Sequence, residues 1–191
     1  MRYKISYNSP VILTYTLISG LALILGWLTN GAVTRQFFVL APVGLYNPLS
    51  YFRLVTYIFG HADFNHFFGN FSIILLVGPM IEEKYGSKQL TLMILATALL
   101  SGILHLLFFR SGVLGASGIV FMLIMLAPFT NTRSKTIPMT FILIFLIYIG
   151  QEFLLSLTVV DNISRFLHIL GGLLGAYMGY LLNKKKGFEG Y

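Results

Sequence analysis

The sequence predicts an all-α polytopic membrane protein, with six transmembrane helices and an interfacial loop between the first and second. Three observations carry this. The 191 residues are 57% hydrophobic and 15% aromatic, with a mean hydropathy of +0.82. Only 10% are charged, against roughly 25% in soluble chains. Apolar segments of about 20 residues, the length that crosses a bilayer, alternate with short polar turns. A soluble domain would lack polar surface at this composition, and disorder is excluded by the low charge and high apolar content. No internal repeat, low-complexity segment or composition shift divides the chain, so residues 1–191 read as a single membrane domain.

The first span covers residues 10–28, within an uncharged stretch from Ile5 to Thr34. Arg2 and Lys4 precede it, as in a secretory signal. The apolar run is long for a signal core and no small-residue cleavage site follows cleanly, so it reads as a retained helix. Residues 30–60 differ: Gly31, Pro42, Gly44, Asn47 and Pro48 interrupt any straight span. Phe37, Phe38, Tyr46, Tyr51 and Phe52, with Arg35 and Arg53, suit the lipid headgroup layer, which predicts an interfacial loop. The second span covers 63–81, followed by Glu82-Glu83-Lys84. The third covers 89–109 and stops at Arg110-Ser111-Gly112. The fourth covers 115–130, before Arg133 and Lys135. The fifth covers 137–157, followed by the turn Asp161-Asn162, and the sixth covers 164–182, closed by Lys184-Lys185-Lys186.

Six spans put both termini and the loops after even-numbered spans on one side. That side holds nine Lys and Arg residues (Arg2, Lys4, Lys84, Lys88, Arg133, Lys135, Lys184, Lys185, Lys186), and the other holds four (Arg35, Arg53, Arg110, Arg165). Basic residues concentrate on the cytoplasmic face, so the termini are expected there. This asymmetry accounts for the +7 net charge better than a nucleic-acid partner does, and none is expected. With no cysteine, disulfides, thiolate metal sites and a cysteine nucleophile are excluded.

Polar and ionisable residues inside spans are costly and mark functional sites by default. Here they are His61, His66, Asn70, Glu82, His105, Ser117, Glu152 and His168. On this topology His61, His66, Ser117 and His168 share the outer half of the membrane. Ser117, within Gly115-Ala116-Ser117-Gly118, begins the fourth helix, where free backbone N–H groups and the positive dipole end suit a developing oxyanion. Flanking glycines Gly115 and Gly118 permit close approach; by itself the motif is as readily a small-residue packing site. His168 shares a helix face with Gly171, Gly172, Gly175 and Gly179, a stripe that admits a neighbouring helix at short distance. If that neighbour is the fourth helix, the imidazole reaches the Ser117 hydroxyl and serves as general base. No carboxylate claims a third place, since Asp63 and Asp161 read as boundary residues, so a Ser–His dyad is the economical arrangement. His66 and Asn70, four residues apart on one face, can aim a donor each at one oxygen, as an oxyanion hole requires. Their alternative is an interhelical hydrogen-bond pair. The set supplies nucleophile, base and donors, so neither metal nor soluble cofactor is expected.

The combination of His61, His66 and Asn70, then Gly-Ala-Ser-Gly at 115–118, then His168, Gly171 and Gly175 resembles the rhomboid family of intramembrane serine proteases. The likeness covers nearly the whole chain. It extends to Phe52-Arg53, similar to the family's Trp-Arg pair, and to Glu82 four residues before Gly86. It implies Ser117 as nucleophile, His168 as base, and an oxyanion hole of the Ser117 backbone N–H with the His66 and Asn70 side chains. Phe52 departs from the usual Trp but keeps an aromatic anchor. Phe121 stands where some members have Tyr, and its ring can pack on His168. His61 is assigned to ordering the outer loop or the start of the second helix. Arg53 and Glu82 are assigned structural bonds to loop backbone, and His105 is read as a packed histidine. Glu152 belongs to no motif and is expected to be dispensable for chemistry. The implied substrates are single-span or other membrane proteins, cut within or beside a transmembrane segment. The rivals are a non-catalytic rhomboid-like client-binding protein and a small proton-coupled transporter. The transporter class often shows repeats, which this sequence lacks.

Overall fold

The structure, a computed structural model, describes residues 4–42, 47–131, 136–157 and 163–185. Arg2, Gly44, Tyr46, Arg133, Lys135, Lys186 and the turn Asp161-Asn162 lie outside the described residues. Among those described, every extended element is helical and the one β feature is an isolated bridge between Leu40 and Val113.

Helix α1 spans Pro10–Leu28, with proline at its first position, where no intrahelical N–H is lost. Four helices are long and apolar enough to cross a membrane: α1, α3 (Phe64–Tyr85), α4 (Ser87–Phe108) and α8 (Ile163–Lys185). Two shorter apolar stretches are α5 (Ser117–Leu126), prolonged by a 3-10 turn over Ala127–Phe129, and Met139–Leu154. The latter is not one regular helix. It comprises α6 (Met139–Ile144), a π-helical turn over Phe145–Ile149, and α7 (Gly150–Ser156). Large apolar side chains such as Leu17, Leu76, Leu107 and Leu146 point outward, as lipid contact requires. Small polar residues Ser19, Thr97 and Ser101 are buried between helices, the pattern of close packing in membrane bundles.

The structure adds detail to one expectation and corrects another. The described residues of the segment 30–60 include a π-helical turn (Thr34–Phe38), α2 (Pro48–Thr56) and a 3-10 turn (Tyr57–Phe59). Its glycines and prolines separate short helices instead of preventing them. The second span does not stop at residue 81 but continues as α3 to Tyr85, closed by Gly86 at φ 82°. That extension brings Glu82 to α1, where its carboxylate accepts from the backbone N–H groups of Val11 (3.0 Å) and Ile12 (3.1 Å) and from the Ser87 hydroxyl (2.7 Å). Glu82 therefore bonds not loop backbone but the unpaired donors of the first turn of α1, where an anion also meets the positive dipole end. Arg53 does bond the interfacial segment: its Nε and Nη2 both donate to the Gln36 carbonyl, at 2.8 and 2.5 Å.

Candidate active site

The chain before α5 is pinned on the interfacial segment. Leu40 and Val113 exchange backbone hydrogen bonds of 2.9 Å, and the Gly115 N–H donates to the Tyr57 carbonyl at 2.9 Å. Tyr57 is itself fixed through its hydroxyl, which donates to the Ala98 carbonyl of α4 at 3.1 Å. Gly115 adopts φ 130°, a region that side chains disfavour. A Cβ there would stand 2.8 Å from His66 Cε1, so the glycine also makes room for that imidazole. The chain then turns into α5 with Ser117 as its first residue. At that position its backbone N–H has no carbonyl four residues back within the helix and remains a donor.

Opposite, α3 starts at Asp63, whose carboxylate caps the helix by accepting from the His66 backbone N–H at 2.8 Å. This fixes His66 in the first turn and Asn70 one turn later. The Asn70 side chain is not free on both sides: its Nδ2 lies 3.1 Å from His61 Nε2, while His61 Nδ1 lies 3.2 Å from the Phe59 carbonyl. The Phe59 carbonyl can only accept and Asn70 Nδ2 can only donate, which fixes the tautomer of the ring. Its Nδ1–H then donates to Phe59, and its bare Nε2 accepts from Asn70. His61 thereby holds the Asn70 amide in one orientation, with the second amide hydrogen available elsewhere. The sequence assigns His61 to ordering the outer loop or the start of the second helix; its grip on Asn70 is visible only in the structure.

The small-residue stripe of α8 packs on α5. A Cβ on Gly171 would collide with the backbone carbonyl of Gly118, and one on Gly175 with that of Met122. Gly179 faces Phe129, and Gly172 faces Ile149 of the π-helical turn. Backbone thus meets backbone between the two helices. His168, one turn before Gly171, stacks on Phe121 of α5 with ring centroids 4.5 Å apart and planes 8° from parallel.

These elements enclose a cavity of about 240 Å³ lined by Ser117, His168, His66 and Asn70, with Tyr57 and Leu114. The structure therefore brings together residues that are far apart in the chain, from His66 to His168. A larger cavity of about 520 Å³ opens between the end of α1 and the start of α3, past Trp27, Arg35 and His61. It holds neither Ser117 nor His168; Leu114 borders both. The Ser117 and His168 side chains share the smaller cavity without a hydrogen bond between them among the described residues. Catalytic hydrogen bonds are often long before substrate binds.

One expectation fails here. His168 does have carboxylate company: its Nδ1 lies 3.0 Å from Glu152 Oε1, on α7. The other oxygen, Oε2, lies 3.4 Å from Nη1 of Arg165. The sequence signal that could have shown this is the pairing of a lone acidic residue in one span with Arg165 and His168, three apart on the next. His105 lies apart from the cavity, stacked on Phe109 with Nε2 at 2.8 Å from the Ser111 carbonyl, and orders the loop after α4.

The family model of the Rhomboid domain matches residues 48–185. No curated protein sequence matches the chain.

Proposed function

Since the chain belongs to the rhomboid family, we propose that it is an intramembrane serine endopeptidase, cutting membrane-protein substrates in or beside a transmembrane segment. The observation that carries this is the single cavity shared by the Ser117 hydroxyl, the His168 imidazole and the side chains of His66 and Asn70. Ser117 Oγ attacks the scissile carbonyl carbon while its proton passes to His168 Nε2, and the carbonyl π pair moves onto oxygen. The Ser117 backbone N–H, His66 and Asn70 donate to that oxyanion. Collapse of the intermediate expels the amine, which takes the proton from His168, and water then hydrolyses the acyl-serine. No step calls for a metal or cofactor.

The chain is read as one domain of six crossings. The short fourth crossing has a geometric consequence. Ser117–Phe129 rises about 20 Å by α and 3-10 geometry, against a hydrocarbon core of about 30 Å. If Phe129 lies at the inner boundary, Ser117 sits about 10 Å below the outer one, at a depth water reaches only through a polar cavity. A helical substrate hides its carbonyls in its own hydrogen bonds, so substrates are expected to be spans with helix-weakening residues, and the family likeness favours a small residue before the cut.

Termini on the cytoplasmic side follow from the distribution of Lys and Arg. A protease-cleavable C-terminal tag should resist digestion of intact cells and be lost on permeabilisation; digestion from outside would reverse the topology. The activity test is incubation of purified protein and its Ser117→Ala form with a panel of single-span substrates in liposomes. Products from the wild type alone support the reading. Client binding without cleavage by either form would place the chain among the family's non-catalytic members.

A further inference from the structure

The proposed mechanism leaves Glu152 unused, yet its carboxylate touches the proposed base. We infer that Glu152 is a positioning residue, which completes a Ser117–His168–Glu152 relay and is itself anchored by Arg165. The inference rests on the protease reading and adds to it a member on a different helix.

Three features lead there. First, the geometry engages both carboxylate oxygens with different partners: Oε1 with His168 Nδ1 at 3.0 Å and Oε2 with Arg165 Nη1 at 3.4 Å. Arg165 and His168 are three apart on α8 and so share a face; the guanidinium keeps the carboxylate turned toward the imidazole. Second, the three side chains are largely enclosed, with 15% exposure for Glu152 and 19% for each partner. Third, the π-helical turn at Phe145–Ile149 immediately precedes α7. Such a turn adds one residue and rotates all that follows by about 100° about the axis relative to an unbroken α-helix. Without it, Glu152 would leave the α8 side.

The chemistry follows from what each atom can do. An ionised carboxylate only accepts, so His168 carries its proton on Nδ1 and keeps the Nε2 lone pair for Ser117. Phe121 fixes the ring plane by stacking, and Glu152 fixes rotation within that plane. When Nε2 takes the serine proton, the carboxylate faces the new imidazolium charge. The neutral amide of Glu152→Gln can donate to Nδ1 instead, which moves the histidine proton to Nε2 and leaves no base.

The test compares wild type, Glu152→Gln, Glu152→Asp and Ser117→Ala in liposomes. It measures kcat, KM, melting temperature and the rate of serine labelling by a fluorophosphonate, with imidazole 15N shifts of His168 recorded in wild type and Ser117→Ala. Glu152→Gln is expected to lower kcat per folded molecule about 10²–10⁴-fold with KM within about threefold, the signature of a wrong tautomer, and to slow labelling in parallel. Glu152→Asp, still an acceptor, is expected to recover part of that loss. The 15N shifts are expected to show the proton on Nδ1 in both wild type and Ser117→Ala. A Glu152→Gln enzyme with a lower melting temperature but unchanged kcat per folded molecule would reduce Glu152 to a tie between α7 and α8 and overturn the inference. A wild type inert to both substrate and fluorophosphonate would instead fell the protease reading, and the 15N shifts would then decide the Glu152 contact by themselves: a proton on Nε2 overturns it.

Discussion

Ser117→Ala and His168→Ala should reduce cleavage of a single-span substrate to background, while Asn70→Ala and His66→Ala retain a measurable rate. Without Oγ no acyl-enzyme can form, and without the imidazole the hydroxyl keeps its proton and stays a poor nucleophile. The donors act differently. On the proposed mechanism each supplies one of about three hydrogen bonds to the oxyanion, and loss of one such donor typically costs about 10²–10³ in rate, roughly 2.7–4 kcal/mol. Asn70→Ala carries a second effect, because Asn70 also donates to His61 Nε2. His61 is 2% exposed, and an acceptor left unpaired there costs about 1–3 kcal/mol of stability. Rate per folded molecule, with melting temperature in parallel, separates the two effects. Full activity per folded molecule in both Asn70→Ala and His66→Ala would remove the oxyanion assignment. Full activity in Ser117→Ala would remove the protease mechanism.

Gly171→Ala should also be damaging, although it adds only one methyl group. The new Cβ would collide with the backbone carbonyl of Gly118, next to Ser117. Backbone in a packed helix cannot swing aside as a side-chain tip can, so α5 and α8 must separate. Overpacking of this kind costs about 1–3 kcal/mol. The same displacement carries His168 away from Ser117, and a misplacement of about 1 Å can cost about 10² in rate. Both the melting temperature and the rate per folded molecule should therefore fall. Gly69→Ala is the control, since a Cβ there meets nothing within 4 Å and alanine is the better helix former. Wild-type stability and rate in Gly171→Ala would show that the α5–α8 contact is looser than the geometry states.

The glycine stripe explains why so much of the site was legible in the sequence. Gly171, Gly175 and Gly179 repeat at four-residue intervals after His168, a local property of one helix, and such a stripe admits a neighbouring helix at short distance. The first span was legible for a similar reason: residues 10–28 are uncharged and proline stands at the helix start, and α1 has those bounds. The interfacial segment was harder. Proline and glycine marked its breaks correctly, yet the same residues serve a loop and a string of short helices equally well, and tertiary bonds such as Arg53 to Gln36 decide between them.

What the sequence by itself determined is what depends on spacing within one helix: the apolar segments, the His66–Asn70 face, the position of Ser117 at a helix start, and the face shared by His168 with its glycines. What only the tertiary structure decided is which side chains meet across helices. Asn70 is held by His61, Glu82 by the first turn of α1, and His168 by Glu152. The Glu152 contact depends on a π-helical turn that resets the direction of everything after residue 149. No periodicity in Phe145–Ile149 announces that turn. Ile149 of that turn seats against Gly172, and the rotation it imposes is felt only by partners brought near by the fold.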